Sequence, residues 1–239
     1  MSERVIPPKP LSFPGGIHPA KDGKGLTEHK AVEKAPLLED YVVLVSQNVG
    51  APPKVTVKKG DAVKKGDILA EAGGFVSAAL HSPTSGVITD IGEAPGPMGV
   101  NVPAIFIKAD GLDEWSDKLP AGLNWREASA DELKSRIASS GIVGMGGAAF
   151  PTHVKLSPPP DKKIDCVILN GAECEPYLTA DHRLMVETPE RVLAGAAIMG
   201  KILGVENIAI GVELNKPDAI AALEARAQEY GVKIVGLKV

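Results

Sequence analysis

The chain has 239 residues, of which 44% are hydrophobic, 23% charged and only 4% aromatic, and its formal net charge is -4. This is enough chain for one large domain or two small ones with aliphatic cores, and the acidic balance speaks against general nucleic-acid binding, which asks for a basic stripe. Cys166 and Cys174 are the two cysteines; they make no disulfide framework, and an iron–sulfur cluster normally takes four thiolates, so no metal site is expected. No apolar leader follows Met1, and the longest apolar runs, 41–45 and 192–205, fall short of the roughly 20 residues a spanning helix needs.

Residues 1–36 are rich in Pro, Gly and Lys and read as an extended arm with tight turns, pinned by Phe13 and Ile17 and with His18 as a turn residue. Short strand-like runs follow at 41–45, 55–57, 68–70, 87–91 and 104–107. Between them the sequence repeats itself: Val57-Lys58-Lys59-Gly60-Asp61 and Val63-Lys64-Lys65-Gly66-Asp67 each end a strand on a Gly-Asp turn. Short strands at regular spacing predict a small all-β barrel or sandwich over 37–110. Lys54, Lys58, Lys59, Lys64 and Lys65 form a basic edge, either solvated turn lysines or a surface for an acidic partner. A linker is expected over 111–128.

From Ser129 the pattern changes to α/β. Ser129-Ala130-Asp131-Glu132 is a capping box, and the helix it opens should stop at Ser140-Gly141. The apolar run 166–169 reads as a buried parallel strand. A helix with proline at its first position runs from Thr188-Pro189 to Leu203, where Gly204 stops it. Then come a strand at 207–212, a helix at 216–230 ended by Gly231, and a strand at 233–237. Such alternation predicts right-handed crossovers in a parallel sheet within a domain over 129–239.

Two segments carry chemistry. Between Gly141 and Lys155 lies Gly144-Met145-Gly146-Gly147-Ala148-Ala149-Phe150-Pro151-Thr152. Its small residues leave backbone N–H groups open to a flat or anionic ligand, and Lys155 can reach an anion from beyond the loop. The spacing Gly144, Gly146, Ala149 is weak as a dinucleotide fingerprint, because a helix precedes it and not a strand. A glycine loop needed only for packing is the bland alternative. The second segment, Asn170-Gly171-Ala172-Glu173-Cys174-Glu175-Pro176-Tyr177, follows a predicted strand, and ligands of open α/β sheets bind outside the carboxyl ends of strands. Asn170 offers donor and acceptor groups, and Glu173 and Glu175 offer acceptors, although such residues in a loop are often only solvated.

Residues 57–69 and 82–91, with both Gly-Asp turns and Ser85-Gly86-Val87, resemble the barrel-sandwich hybrid fold of biotinyl and lipoyl carriers. Those carriers place an attachment lysine on the intervening hairpin; here 70–80 contains none, so attachment is not expected. The glycine loop and the Asn170 segment look like the flavin-binding subunit of respiratory complex I. The order of arm, barrel-sandwich and flavin-like domain, with 13–19 and 170–177, resembles the C subunit of the Rnf electron-transport complex.

That resemblance implies that Gly144, Gly146, Gly147 and Ala148 approach FMN, that Lys155 and Asn170 hydrogen-bond it, that Glu173 lies beside it, and that Phe150 and Glu175 lie near NAD(H). It also implies a peripheral oxidoreductase subunit at the cytoplasmic face of the bacterial inner membrane, held there by the other, partly membrane-embedded Rnf subunits. Ferredoxin or another carrier would exchange electrons with it. The family's [4Fe–4S] clusters belong to a C-terminal region with paired cysteine motifs, so a longer native chain is expected. Met145, Ala149 and Ala172 depart from complex I, where arginine, glycine and aspartate stand. Two other readings stay open: a cofactor-free docking scaffold of a membrane oxidoreductase, and a cobalamin-reductase-like flavoprotein, which the leading β module disfavours.

Overall fold

A computed structural model describes residues 21–238; Phe13, Ile17 and His18 lie outside them. The chain forms two compact units, one of Ala35–Pro159, the other of residues up to Lys34 together with Pro160–Val239.

The Ala35–Pro159 unit is built on two antiparallel sheets. Strands β1 (Asp40–Leu44), β2 (Lys54–Val55), β3 (Ala62–Val63), β4 (Ile68–Glu71), β5 (Leu80–His81), β6 (Gly86–Pro95) and β7 (Asn101–Ala109) pair in the orders β1-β7-β6-β3 and β2-β4-β5. Alternation decides what is inside: Val43 faces Ile105 and Ile88 faces Ile107 across the ladder, and all four are buried with Val63, Leu69 and Leu80. The sequence repeat is a structural repeat. In each copy the aspartate carboxylate accepts the lysine N–H three residues earlier, Lys58 to Asp61 at 2.9 Å and Lys64 to Asp67 at 2.8 Å. Gly60 (φ +92) and Gly66 (φ +88) supply the left-handed backbone each turn needs.

Lys59 lies 3.7 Å from Asp90, Lys64 2.8 Å from Asp117 and Lys65 2.6 Å from Asp113, so much of the predicted basic edge is neutralised within the chain. The acids at 113–117 come from the stretch expected to be a linker, whose first part is a strap laid on the β module. Lys65 N–H donates to Glu114 O at 2.8 Å, Ser116 N–H to Lys65 O at 2.9 Å, and the Ser116 hydroxyl to Asp67 at 2.6 Å. Lys65 also sits 5.1 Å from the Trp115 ring centroid. Helix α1 (Ala130–Ser139) closes the unit, with both capping-box bonds made between Ser129 and Glu132. A short helical turn, α2 (Thr152–Lys155), follows the glycine loop in the same unit.

In the other unit, β8 (Val167–Gly171), β9 (Ile208–Glu213) and β10 (Val232–Leu237) form the predicted parallel sheet in the order β10-β9-β8. A further helix, α3 (Ala180–Glu187), precedes α4. Helices α4 (Pro189–Leu203) and α5 (Pro217–Ala227) are the crossovers, and Gly204 and Gly231 end their segments in left-handed conformation. Leu193, Ala196, Ile210, Val212, Ala219 and Leu223 make the core between helices and sheet.

Candidate functional site

The glycine loop is a closed hairpin. Val143 and Pro151 form an antiparallel bridge, Gly144 N–H donates to Phe150 O at 2.9 Å, and Thr152 N–H to Ile142 O at 2.9 Å. Beyond this neck, the amides of residues 145–149 donate to no other group among the described residues. Met145 is 91% exposed at the tip. A Cβ on Gly146 or Gly147 would meet nothing within 4 Å, and neither glycine has positive φ. Nothing among the described residues therefore demands glycine there; what its absence of side chain leaves clear is the outer face of the loop. Ala149 holds φ +50, a strained choice for a residue with a Cβ, of order ~1–3 kcal/mol. Lys155 folds back beneath the neck, its Nζ 2.7 Å from where a Gly144 Cβ would stand. Gly144, Gly146, Gly147, Ala148 and Phe150 thus share one loop, and Lys155 lies on the helical turn that follows it.

Asn170, Glu173 and Glu175 belong to the other unit. Asn170 is the last residue but one of β8, and its Oδ1 accepts Ala172 N–H at 3.0 Å, tightening the exit turn. Its Nδ2 donates to no group among the described residues. Glu173 is 2% exposed. Its carboxylate accepts the N–H of Asp181 at 2.7 Å and of His182 at 3.2 Å. The cap residue Thr179 makes no side-chain bond to the helix, so Glu173 caps α3 from outside, placing a carboxylate where the helix dipole favours it. Its own N–H donates to Glu213 at 3.2 Å, and Glu213 pairs with the buried Lys216.

Around this loop lie residues that no local signal marked. Lys24, buried, donates to Glu175 O at 3.0 Å and Leu178 O at 2.7 Å. Tyr177 adopts φ +67, with its N–H 2.6 Å from Asp22 O. Its ring covers Gly23 so closely that a Cβ there would lie 2.2 Å away. Arg183 reaches Glu28 O at 3.0 Å. Residues 21–34 therefore clasp the loop between β8 and α3. His182, 3% exposed, holds Asp218 at 2.7 Å; the carboxylate accepts, so Nε2 carries the proton. Burial pushes the Asp218 carboxyl up, but the His182 bond and the Ala219 N–H outweigh it and keep it below the usual range. A cavity of about 170 Å³ is lined by Asp22, Lys24, Glu28, His182, Asn215 and Lys216 among others. The partners of Lys24 are more than 150 residues away in sequence, which is why sequence reading missed it. Helix α3 had a usable signal in Thr179 with Asp181 behind it, ahead of the apolar run from Leu184.

Residues 11–112 match the RnfC barrel sandwich hybrid domain, and residues 137–238 match the Nuo51 FMN-binding domain. The chain is 50% identical over 226 residues to the C subunit of the proton-translocating ferredoxin:NAD(+) oxidoreductase complex of Clostridium ljungdahlii, covering 95% of this chain and 49% of that one. It is 46% identical over 213 residues to the Na(+)-translocating counterpart of Acetobacterium woodii, covering 89% and 48%. Against the C subunit of the ion-translocating oxidoreductase complex of Pseudomonas aeruginosa it is 44% identical over 229 residues, covering 95% and 29%. Over nearly its whole length the chain is similar to these C subunits. It spans about half the length of the first two of these relatives and less of the third. The flavin-domain match begins in the unit of the glycine loop and continues through the parallel sheet. No helix among the described residues is long and apolar enough to cross a membrane.

Proposed function

We propose that the chain is part of a peripheral oxidoreductase subunit of an Rnf-type complex, and that its glycine loop cradles FMN. The carrying observation is the loop tip, with amides that have no partner among the described residues beside two glycines that neither φ nor crowding requires. Such a row of N–H groups is complementary to a phosphate or to the polar edge of a flat ring. Gly144, Gly146, Gly147 and Ala148 form the cradle, and Lys155 adds a positive charge from below. When bound, the flavin supplies hydride exchange with NAD(H) and one-electron exchange with iron–sulfur carriers. The protein positions, excludes water and sets the local field.

In the parallel-sheet unit, Asn170 Nδ2 and the Glu175 carboxylate are the groups assigned to the flavin and the nicotinamide nucleotide. Phe150 is assigned to the nicotinamide nucleotide from the loop. Glu173 acts through the segment it holds, since both its oxygens are engaged by α3. The proposed setting is the cytoplasmic face of the inner membrane, with the other Rnf subunits as partners and ferredoxin or an equivalent carrier exchanging electrons. The [4Fe–4S] clusters of the complex are assigned to regions of the relatives outside the matched stretch. Met145, exposed where complex I has arginine, favours a second reading, a docking scaffold without cofactor.

Titration of FMN against the chain separates the two. The expected result is saturable uptake that Gly147→Val and Lys155→Ala each weaken about tenfold or more, as loss of one strong contact implies, with the melting temperature unchanged. A Cβ at position 147 meets nothing among the described residues, so weaker uptake at an unchanged melting temperature reports on ligand approach. A wild-type chain that takes up no flavin refutes the cradle and leaves the scaffold.

A further inference from the structure

The glycine loop is tied to the β module at three points. Ala148 O accepts Val49 N–H at 3.2 Å. At the loop entrance Gly141 lies so close to the chain before β5 that a Cβ would stand 2.3 Å from Ala79 O. Beyond its exit, His153 Nε2 lies 2.9 Å from Phe75 O, and the two rings meet edge to face at 5.7 Å between centroids. A carbonyl oxygen only accepts, so His153 Nε2 is the donor.

Phe75 sits on the hairpin between β4 and β5, and that hairpin is itself fixed. Ser77 accepts Gly73 N–H at 2.9 Å and donates to Ala51 O at 2.8 Å, while Ala51 N–H donates to Val76 O at 2.8 Å. A Cβ on Gly73 would stand 2.1 Å from Pro52 O. Contacts this close leave the hairpin little freedom. The loop tip is the reverse: it is a turn over 145–148 whose amides make no close hydrogen bond among the described residues, so its order leans on its ties.

We propose that the β4–β5 hairpin is the fixed support of the glycine loop and that His153 is the latch, a positioning residue that acts on the flavin only through the loop. The inference rests on the flavin reading above. Ordering a residue's backbone costs roughly 1–2 kcal/mol, and a loop ordered before the ligand arrives does not charge that cost to binding.

The test uses the whole chain with two variants. His153→Phe keeps a ring against Phe75 and removes the donor; His153→Gln keeps a side-chain N–H. Hydrogen exchange at the Gly144, Thr152 and Val49 amides is read without flavin, then FMN affinity is measured. The latch predicts faster exchange and about tenfold weaker FMN binding in His153→Phe, the worth of one hydrogen bond. His153→Gln should stay near wild type, and both should melt as wild type does. Wild-type exchange and affinity in His153→Phe overturn the latch, and so does a His153→Gln variant as impaired as His153→Phe. If wild type takes up no FMN, the flavin reading fails, and the exchange rates alone still decide whether His153 holds the loop.

Discussion

Replacing Glu173 separates a helix-capping role from a ligand-contacting one. Both carboxylate oxygens accept amides at the start of α3, and the residue is 2% exposed. Alanine leaves two donors unsatisfied in a place water reaches poorly, at about 1–3 kcal/mol each, and removes a negative charge from the helix N-terminus. Helix relaxation recovers part of this, so the expected loss is about 2–4 kcal/mol for Glu173→Ala. Glutamine retains one acceptor and should lose about 1 kcal/mol. With a urea dependence of about 1–3 kcal/mol per molar, the alanine midpoint should fall by about 1–2 M. Circular dichroism at 222 nm weights the parallel-sheet unit, which holds helices of 8, 15 and 11 residues against 10 and 4 in the other. Both tryptophans, Trp115 and Trp125, lie in the Ala35–Pro159 unit, so their fluorescence is an internal control. An unshifted dichroism midpoint for Glu173→Ala would refute the capping argument. If such a variant lost flavin affinity instead, the carboxylate would be a ligand contact.

Three more expectations concern other ties. Burial pushes the Asp67 carboxyl up, but the Ser116 hydroxyl, the Lys64 N–H and the charges of Lys118 and Lys64 together hold it below the usual range. Its contribution is therefore complete above the ordinary value, near pH ~4, and is lost as pH falls through the lower folded value. Trp115 fluorescence should show the strap loosening on that acid limb, and Asp67→Asn should flatten the dependence; identical acid profiles would count against it. Lys24→Met keeps the stem but strips the donor from two carbonyls, so it should cost about 2–4 kcal/mol. Proteolysis after residue 174 should accelerate with it, and an unchanged cleavage rate would mean that the arm does not order the loop. Ser129→Ala removes a complete capping box and should destabilise the Ala35–Pro159 unit by about 1 kcal/mol, read in its thermal melt.

Local chemistry made much of this protein legible. The Gly-Asp repeats, the capping box, the proline that opens α4 and the glycines after α4 and before β10 each act within a few residues, so their turns and ends follow from neighbours alone. Apolar runs announced the parallel strands for the same reason. The glycine loop also stood out, because contiguous small residues are visible without knowing what they face. Tertiary structure decided what depends on distant partners. The expected linker is a strap because Asp113 and Ser116 meet Lys65 and Asp67 across 48 and 49 positions. Glu173 became a cap only once α3 folded back onto it, and Lys24 became a clasp only when the sheet brought Glu175 and Leu178 to it. Buried polar groups take partners wherever geometry supplies them, and sequence spacing carries no record of that choice.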